Sequence, residues 1–116
     1  MKLNLAMIAQ LPRADLRRIL EADFEDAIIA EARGQGWMVA HFRPARMQDG
    51  RWRTPMKGDR GYPDITLVRA GQILMIEAKT EHGSVTKEQA QWLDALGPYG
   101  RLFRPRDAKK ILEDLK

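Results

Sequence analysis

The stretch of sequence that decides the fold is DITLVRAGQILMIEAKT, residues 64–80. Two apolar runs, 64–70 and 72–80, meet at Ala70-Gly71, and this pattern predicts a β-hairpin with a two-residue turn. Side chains along a strand alternate between the two faces of a sheet, so the register of the hairpin decides which residues share a face. The register therefore decides where the polar side chains of this stretch lie.

Pairing Arg69 with Gln72 across the turn gives the hairpin one apolar face and one polar face. The apolar face is expected to lie in the core and carries Ile65, Leu67, Leu74, Ile76 and Ala78. On the opposite face, Asp64 lies directly across from Glu77. A register shifted by one residue would turn Glu77 and Lys79 toward the core, which argues against such a shift.

The opposed carboxylates of Asp64 and Glu77 favour a metal site. Directly opposed residues have Cβ atoms about 5 Å apart, and two carboxylates at that distance repel by roughly 3 kcal/mol at an effective dielectric constant of about 20. A divalent cation turns clustered oxygens into a binding site, to which the carbonyl of Ala78 could add. Lys79 projects from the same face. Glu77-Ala78-Lys79 alone is more typical of an ordinary strand with an ion pair, and it is the preceding Pro63-Asp64 that favours the site.

The rest of the chain predicts helices around a mixed sheet. Apolar residues at three- and four-residue steps predict a helix over 14–35, and the pattern permits a break near Leu20-Glu21. The other predicted elements are strands at 37–43 and 101–104, a helix opened by a Thr86–Gln89 capping box, and a last helix capped by Asp107. The predicted class is α/β, an α+β mixed sheet in the order α-β-β-β-α-β with a C-terminal helix.

Composition excludes several classes of function. The chain has 116 residues and no cysteine, which excludes disulfide scaffolds, thiolate metal sites and cysteine nucleophiles. One domain at 14–116 is expected after an N-terminal tail at 1–13. The start of the chain lacks a signal-peptide pattern, and no apolar run approaches the roughly 20 residues that span a bilayer. We therefore expect a protein of the cytoplasm that does not bind membranes.

Basic residues exceed acidic ones by 20 to 16, and the excess is unevenly spread. Residues 44–61 read as a basic loop, and a loop of this length is usually functional or disordered. Its arginines and the interleaved Trp52 favour phosphate contact over a merely solvated loop. Candidate DNA contacts in the loop and in the Arg-rich end of the chain are Arg46, Arg51, Arg53, Lys57, Arg60 and Arg104.

Pro63-Asp64 followed by Glu77-Ala78-Lys79 resembles the motif of the PD-(D/E)XK nuclease superfamily. Within it, the chain resembles the VRR-NUC domains, including the stand-alone versions of phages and bacteria. The stretches that carry the resemblance are the Glu21-Ala-Asp-Phe helix ending at Gly36-Trp37, Gly61-Tyr-Pro-Asp64, Glu77-Ala-Lys79-Thr, Thr86-Lys-Glu-Gln89 and Gly100 to Arg104-Pro105. The resemblance implies a restriction-endonuclease-like core with a C-terminal helix.

The resemblance also implies roles for single residues. Asp64, Glu77 and the Ala78 carbonyl would bind the metal, and Lys79 would orient or activate the attacking water. Glu21 would be the helix acid that faces the metal.

Three further positions keep an alternative. Glu25 lies one turn after Glu21 and could replace it as the helix acid. Gln89 matches a glutamine near the active site, although the capping box explains it equally well. His41 and Arg43 would touch DNA, while His41 is just as readily a surface or core residue.

The implied activity is that of a Mg²⁺-dependent endonuclease, with Mn²⁺ as a substitute, that hydrolyses DNA phosphodiester bonds. Some relatives are dimers that cut branched DNA such as Holliday junctions, so structured DNA and a second copy of the chain are the expected partners, in the cytoplasm of a bacterial or phage-infected cell. Two alternatives remain. A non-catalytic nucleic-acid-binding module needs only the basic segments, and an interaction protein would dock the acidic helix 21–31 on a basic partner.

Overall fold

The computed structural model describes residues 2–42, 45–46, 48–53 and 57–116. The helices are α1 (Leu5–Gln10), α2 (Glu21–Gly34), α3 (Lys87–Leu96) and α4 (Ala108–Leu115), with 3₁₀ turns at Arg13–Arg18, Gly97–Tyr99 and Pro105–Asp107. The strands are β1 (Met38–His41), β2 (Ala45–Arg46), β3 (Trp52–Arg53), β4 (Ile65–Arg69), β5 (Gln72–Ala78) and β6 (Gly100–Phe103). The predicted break near Leu20-Glu21 is confirmed, because the 3₁₀ turn ends before α2 begins.

A four-stranded mixed sheet in the order β1-β4-β5-β6 holds the molecule together. The strands β1, β4 and β5 are antiparallel neighbours, and β6 runs parallel to β5. This confirms the predicted mixed α+β class. The expected basic loop at 44–61 contains a short antiparallel ribbon, β2 with β3, in which Ala45 pairs with Arg53.

The hairpin has the predicted register, since Arg69 pairs with Gln72 and Ile65 pairs with Ile76. Its turn residues Ala70 and Gly71 both have positive φ, 48° and 80°. Positive φ at both central residues is typical of a turn whose twist matches that of the two strands it joins. The register is thus set by the turn and by the burial of one face.

The core lies between the apolar face of the hairpin and the helices α1, α2 and α4. The predicted inward-facing residues of β4 and β5 are buried, and Phe24 and Ile28 of α2 pack against them. Leu5 and Ile8 of α1 are buried as well, and Asn4 caps this helix by accepting from the N–H of Met7 at 2.8 Å. Residues 5–10 of the segment expected as a tail therefore pack against the rest of the domain.

Helix α3 packs against β6 and is less buried than the other helices. The predicted Thr86–Gln89 capping box is present, and every residue of α3 is half-buried or exposed. Gly61 has φ +90°, and a Cβ at this position would meet the backbone of Glu88 at 2.5 Å. The start of α3 therefore lies against the segment that leads into Asp64.

The last helix differs from expectation at its start. Asp107 stands at the N-cap position of α4, but its Oδ2 accepts from the N–H of Arg104 at 2.9 Å and so closes the preceding turn.

Among the described residues, none of the helices has the length and apolar character needed to span a bilayer.

The C-terminal end of α4 is tied to the sheet by Arg69. Its guanidinium lies 4.2 Å from the ring centre of Trp37 and donates to the carbonyls of Gln35, Leu115 and Lys116 at 2.8, 3.2 and 2.7 Å. Trp37 Nε1 also donates to the Leu115 carbonyl at 2.9 Å. One side chain thus bonds the carbonyls that end α4.

Replacing Arg69 with alanine should lower the free energy of unfolding by about 1–3 kcal/mol, because several hydrogen bonds and the contact with Trp37 disappear together. Urea unfolding followed by circular dichroism measures this change. Arg33→Ala, at an exposed arginine of α2, is the matched control and should change stability by less than about 0.5 kcal/mol. Equal losses in the two variants would show that Arg69 does not tie down the helix.

Candidate active site

Asp64 and Glu77 meet at the end of the hairpin away from its turn. The Oδ2 of Asp64 accepts from the backbone N–H of Ala78 at 3.2 Å, so this carboxylate reaches across to β5. The N–H and C=O of one strand residue point to the same side of the strand, so the carbonyl of Ala78 also points toward Asp64. The predicted pair and the predicted backbone oxygen are therefore brought together.

Glu77 is the most unusual group of the site. The residue is only 2% exposed, and its Oε1 is buried with no hydrogen-bond partner among the described residues. Burial, and next the adjacent Asp64 carboxyl, raise the pKa of Glu77 to about 9. Without a cation, Glu77 is therefore protonated at neutral pH.

Glu21 and Lys79 act on the same pair. Glu21 begins α2, and its pKa is raised by burial and by the charge of Asp64, while Lys79 lowers it. The charges of Lys79 and Glu21 likewise act on Glu77. Lys79 is fixed at the end of β5 because its backbone N–H donates to the carbonyl of Phe103 at 3.0 Å. The charges of Glu21, Asp64, Glu77 and Lys79 thus act on one another at a single site.

Glu25, the alternative to Glu21, has a partner of its own. Its Oε2 lies 2.8 Å from Nε2 of His41, and the two side chains are 12% and 11% exposed. Burial raises the pKa of Glu25, and the bond with His41 opposes that rise. His41 is half-buried and its side chain is held against α2, while a contact of His41 with DNA stays a prediction.

Arg104 was expected to contact DNA, and the structure gives it another contact. Its Nη1 donates to the carbonyl of Thr80 at 2.7 Å and, at 3.4 Å, to that of Glu81. The buried Glu81 accepts from the N–H of Arg106 at 3.1 Å. These bonds hold the turn that directly follows Lys79. The sequence shows the charges of this cluster, but it carries no signal for pairs that lie more than 20 residues apart.

The other predicted DNA contacts lie in or next to the basic segment 44–61. Arg51, Lys57 and Arg60 are exposed, and Arg51 pairs with Asp49 at 2.7 Å. Arg46 and Arg53 lie on the ribbon strands, and Arg43 lies outside the described residues.

Gln89 is committed to the start of α3. Its Oε1 accepts from the N–H of Thr86 at 2.9 Å, and its own N–H donates to Thr86 Oγ1 at 3.1 Å. The capping role is therefore confirmed, whereas a role near the active site stays a prediction. The close approach of Gly61 to the same turn keeps Gln89 beside the segment that leads into Asp64.

The donor set fits a hard divalent cation in part. Two carboxyl groups and a backbone carbonyl are oxygen ligands of the kind that Mg²⁺ takes alongside water. One carboxyl oxygen, Oε1 of Glu77, is buried and has no hydrogen-bond partner among the residues that the structure describes. In the part of the chain that the structure describes, no three Asp, Glu or His side chains form a metal-ligand cluster. Asp64 and Glu77 are thus the pair to consider, and Glu21 as a third ligand stays a prediction.

Comparison with known proteins adds no relative, since no protein-family model, curated protein or solved structure matches the chain. What the site can do therefore follows from its own residues. A carboxyl pair with one buried member, beside a lysine, can bind a cation and hold a water molecule or a phosphate next to it. That combination is suited to the hydrolysis of a phosphate ester.

Proposed function

We propose that this protein is a divalent-metal-dependent endonuclease that hydrolyses phosphodiester bonds of DNA in the cytoplasm. The observation that carries the proposal is the buried carboxyl group of Glu77, which interacts with Asp64 and has one oxygen without a hydrogen-bond partner among the described residues. We also propose that the chain belongs to the VRR-NUC family, with a restriction-endonuclease-like core. The order α2, β1, β4, β5, α3, β6 supports that assignment, as does the position of the motif residues, with Asp64 directly before β4 and Glu77 to Lys79 at the end of β5.

A purely structural role explains the pair poorly. An ionised carboxylate is costly to bury without compensation, and a protonated Glu77 still leaves one oxygen without a hydrogen-bond partner in the described part of the chain. A methionine or glutamine of similar size would remove the repulsion from Asp64. A bound cation would compensate both carboxylates at once, which is a reason to keep them together.

In the proposed reaction a water oxygen attacks the phosphorus and the P–O3′ bond breaks, which leaves a 3′-hydroxyl and a 5′-phosphate. Asp64, Glu77 and the Ala78 carbonyl would hold Mg²⁺ or Mn²⁺. When bound, such an ion lowers the pKa of a coordinated water and offsets charge on the phosphate. Lys79 orients the attacking water and donates hydrogen bonds to phosphate oxygens, for which its ammonium has three donors. Glu21 adds a carboxylate beside the pair.

The basic segment would hold the sugar–phosphate backbone through exposed side chains such as Lys57 and Arg60. Contacts of this kind position DNA without reading its bases, so we propose selectivity for branched or otherwise structured DNA over a particular sequence. We also propose that the protein works as a homodimer, as some members of the family that it resembles do.

Incubation of the purified protein with matched junction, flap, duplex and single-stranded DNAs tests the proposed function. Mg²⁺ should give cleavage of at least one branched substrate, and excess EDTA should stop it. Binding without cleavage of any substrate, in either Mg²⁺ or Mn²⁺, would favour the non-catalytic binding module. The third reading, an acidic helix docked on a partner, is disfavoured because Glu21 and Glu25 of α2 are turned toward the site and His41.

Arg104→Ala should separate a positioning role from DNA contact. Because Arg104 bonds the turn after Lys79, its loss should lower kcat for DNA cleavage by about 10-fold, while KM changes little. Lys57→Ala, at an exposed lysine of the basic segment, should raise KM and leave kcat unchanged. Steady-state cleavage kinetics give both constants. A rise of KM alone in Arg104→Ala would return this residue to the DNA-binding set.

A further inference from the structure

Three aromatic side chains form a row beside the candidate site, and we call Phe42, Tyr62 and Trp92 the aromatic row. The rings of Phe42 and Tyr62 are 5.7 Å apart at 84°, and those of Tyr62 and Trp92 are 5.1 Å apart at 79°, both edge-to-face. Trp92 Nε1 donates to the Arg60 carbonyl at 2.9 Å. Trp92 of α3 is thus held by a hydrogen bond, and Tyr62 contacts the rings on both of its sides.

Phe42 is the open end of this row and is 44% exposed. Other apolar side chains are at least as exposed, Met38 and Tyr99 among them, so exposure alone decides nothing. Phe42 differs in that a second ring supports it edge-on, which limits its motion. It is a rigid apolar surface that faces solvent.

The place of Phe42 in the chain connects it to the candidate site. Its backbone N–H donates to the carbonyl of Asp64 at 3.1 Å, so the residue lies at the carboxylate end of the sheet. On its other side the chain enters the basic segment. The aromatic row therefore connects the backbone of Asp64, a proposed metal ligand, to the backbone of Arg60, an exposed cationic residue.

We propose that Phe42 is a stacking surface for an unpaired nucleobase of DNA held at the candidate site. Aromatic side chains next to cationic groups bind single-stranded nucleic acid by stacking, and every base has a face that can stack. A base inside a regular duplex cannot reach such a ring. The inference rests on the proposed nuclease function for the position of the cut, and it names the substrate class as DNA with unpaired bases beside the scissile phosphate.

Binding in EDTA tests the stacking without any cleavage. The probes are DNA hairpins of one stem sequence, either blunt or with a single-stranded tail that carries the fluorescent base 2-aminopurine at successive positions. Wild-type protein should quench at least one tail position and bind the tailed hairpin more tightly than the blunt one. Phe42→Leu, which keeps apolar bulk, should lose the quenching and bind the tail at least about 5-fold more weakly. Phe42→Trp should restore both.

Tyr99→Leu is the matched control, because Tyr99 is also an exposed aromatic residue but lies away from the candidate site. It directly precedes β6, whereas the residue of β6 that bonds Lys79 is Phe103, at the opposite end of this strand. Thermal melting of each variant confirms that it is folded. The proposal is overturned if wild-type protein quenches no position, or if Phe42→Leu and Tyr99→Leu behave alike. If the protein cuts no DNA, the quenching measurement can still support the stacking. If the protein cuts DNA but binds tailed and blunt hairpins equally well, only the stacking proposal is overturned.

Discussion

Asp64→Asn is expected to lower the rate of DNA cleavage in Mg²⁺ by about 10³-fold or more. The substitution keeps the size of the side chain but removes one carboxylate from the proposed ligand pair, and loss of even an outer-sphere partner of a metal costs 10- to 100-fold. Lys79→Met should lower the rate by about 10²- to 10⁴-fold, because it removes the group that orients the water. Single-turnover assays on a branched substrate measure both rates.

Two exposed residues supply the controls for these variants. Asp94→Asn on α3 and Lys109→Met on α4 make the same chemical changes away from the site and should cut DNA at the wild-type rate. If Asp64→Asn and Lys79→Met both cut DNA as fast as wild-type protein, the catalytic assignment is wrong. The circular dichroism spectra of all four variants should match that of the wild-type protein, which shows that a loss of activity is not caused by unfolding.

Glu77→Gln should stabilise the metal-free protein at alkaline pH. Glu77 is protonated in the folded state up to a pKa of about 9, while its ordinary value is 4.5. Between these values the folded state holds a proton that the unfolded state has released, so wild-type stability falls as pH rises. Glutamine does not titrate. The variant should therefore exceed wild type by a few kcal/mol near pH 9 and by little at pH 4.

Urea unfolding at a series of pH values in EDTA measures this difference. Glu88→Gln, at an exposed glutamate of α3, should follow the wild-type curve at every pH. Saturating Mg²⁺ should narrow the gap, because a ligand that binds only the folded state stabilises wild-type protein more than a variant that has lost a ligand. A gap that does not change between pH 4 and pH 9 would mean that folding does not raise the pKa of Glu77.

Local signals in the sequence were enough to predict the frame of the site. The register of the hairpin follows from the turn at Ala70-Gly71 and from one apolar face, both of which lie within the same short stretch. The Thr86–Gln89 capping box is equally local. Because Asp64 and Glu77 come together through that register alone, their pairing could be predicted without knowledge of the rest of the chain.

Contacts between distant segments could not be predicted in this way. Helix α1 has six residues and too little length to stand out as a helix, and it is held by packing against α4 at the far end of the chain. The sequence shows that His41 and Arg104 are polar or charged, but it does not show that they face Glu25 and the Thr80 carbonyl. The resemblance suggested His41 and the charge suggested Arg104 as DNA contacts, whereas in the structure both are half-buried and bond Glu25 and the Thr80 carbonyl.

The central claim is that Asp64 and Glu77 together hold a divalent cation, and metal titration of the EDTA-stripped protein tests it most directly. Isothermal titration calorimetry with Mg²⁺ and with Mn²⁺, in the absence of DNA, should give saturable heat for wild-type protein and for Asp94→Asn. Asp64→Asn and Glu77→Gln should give no such heat. Wild-type protein that binds neither ion, or an Asp64→Asn variant that binds as wild type does, would contradict the claim.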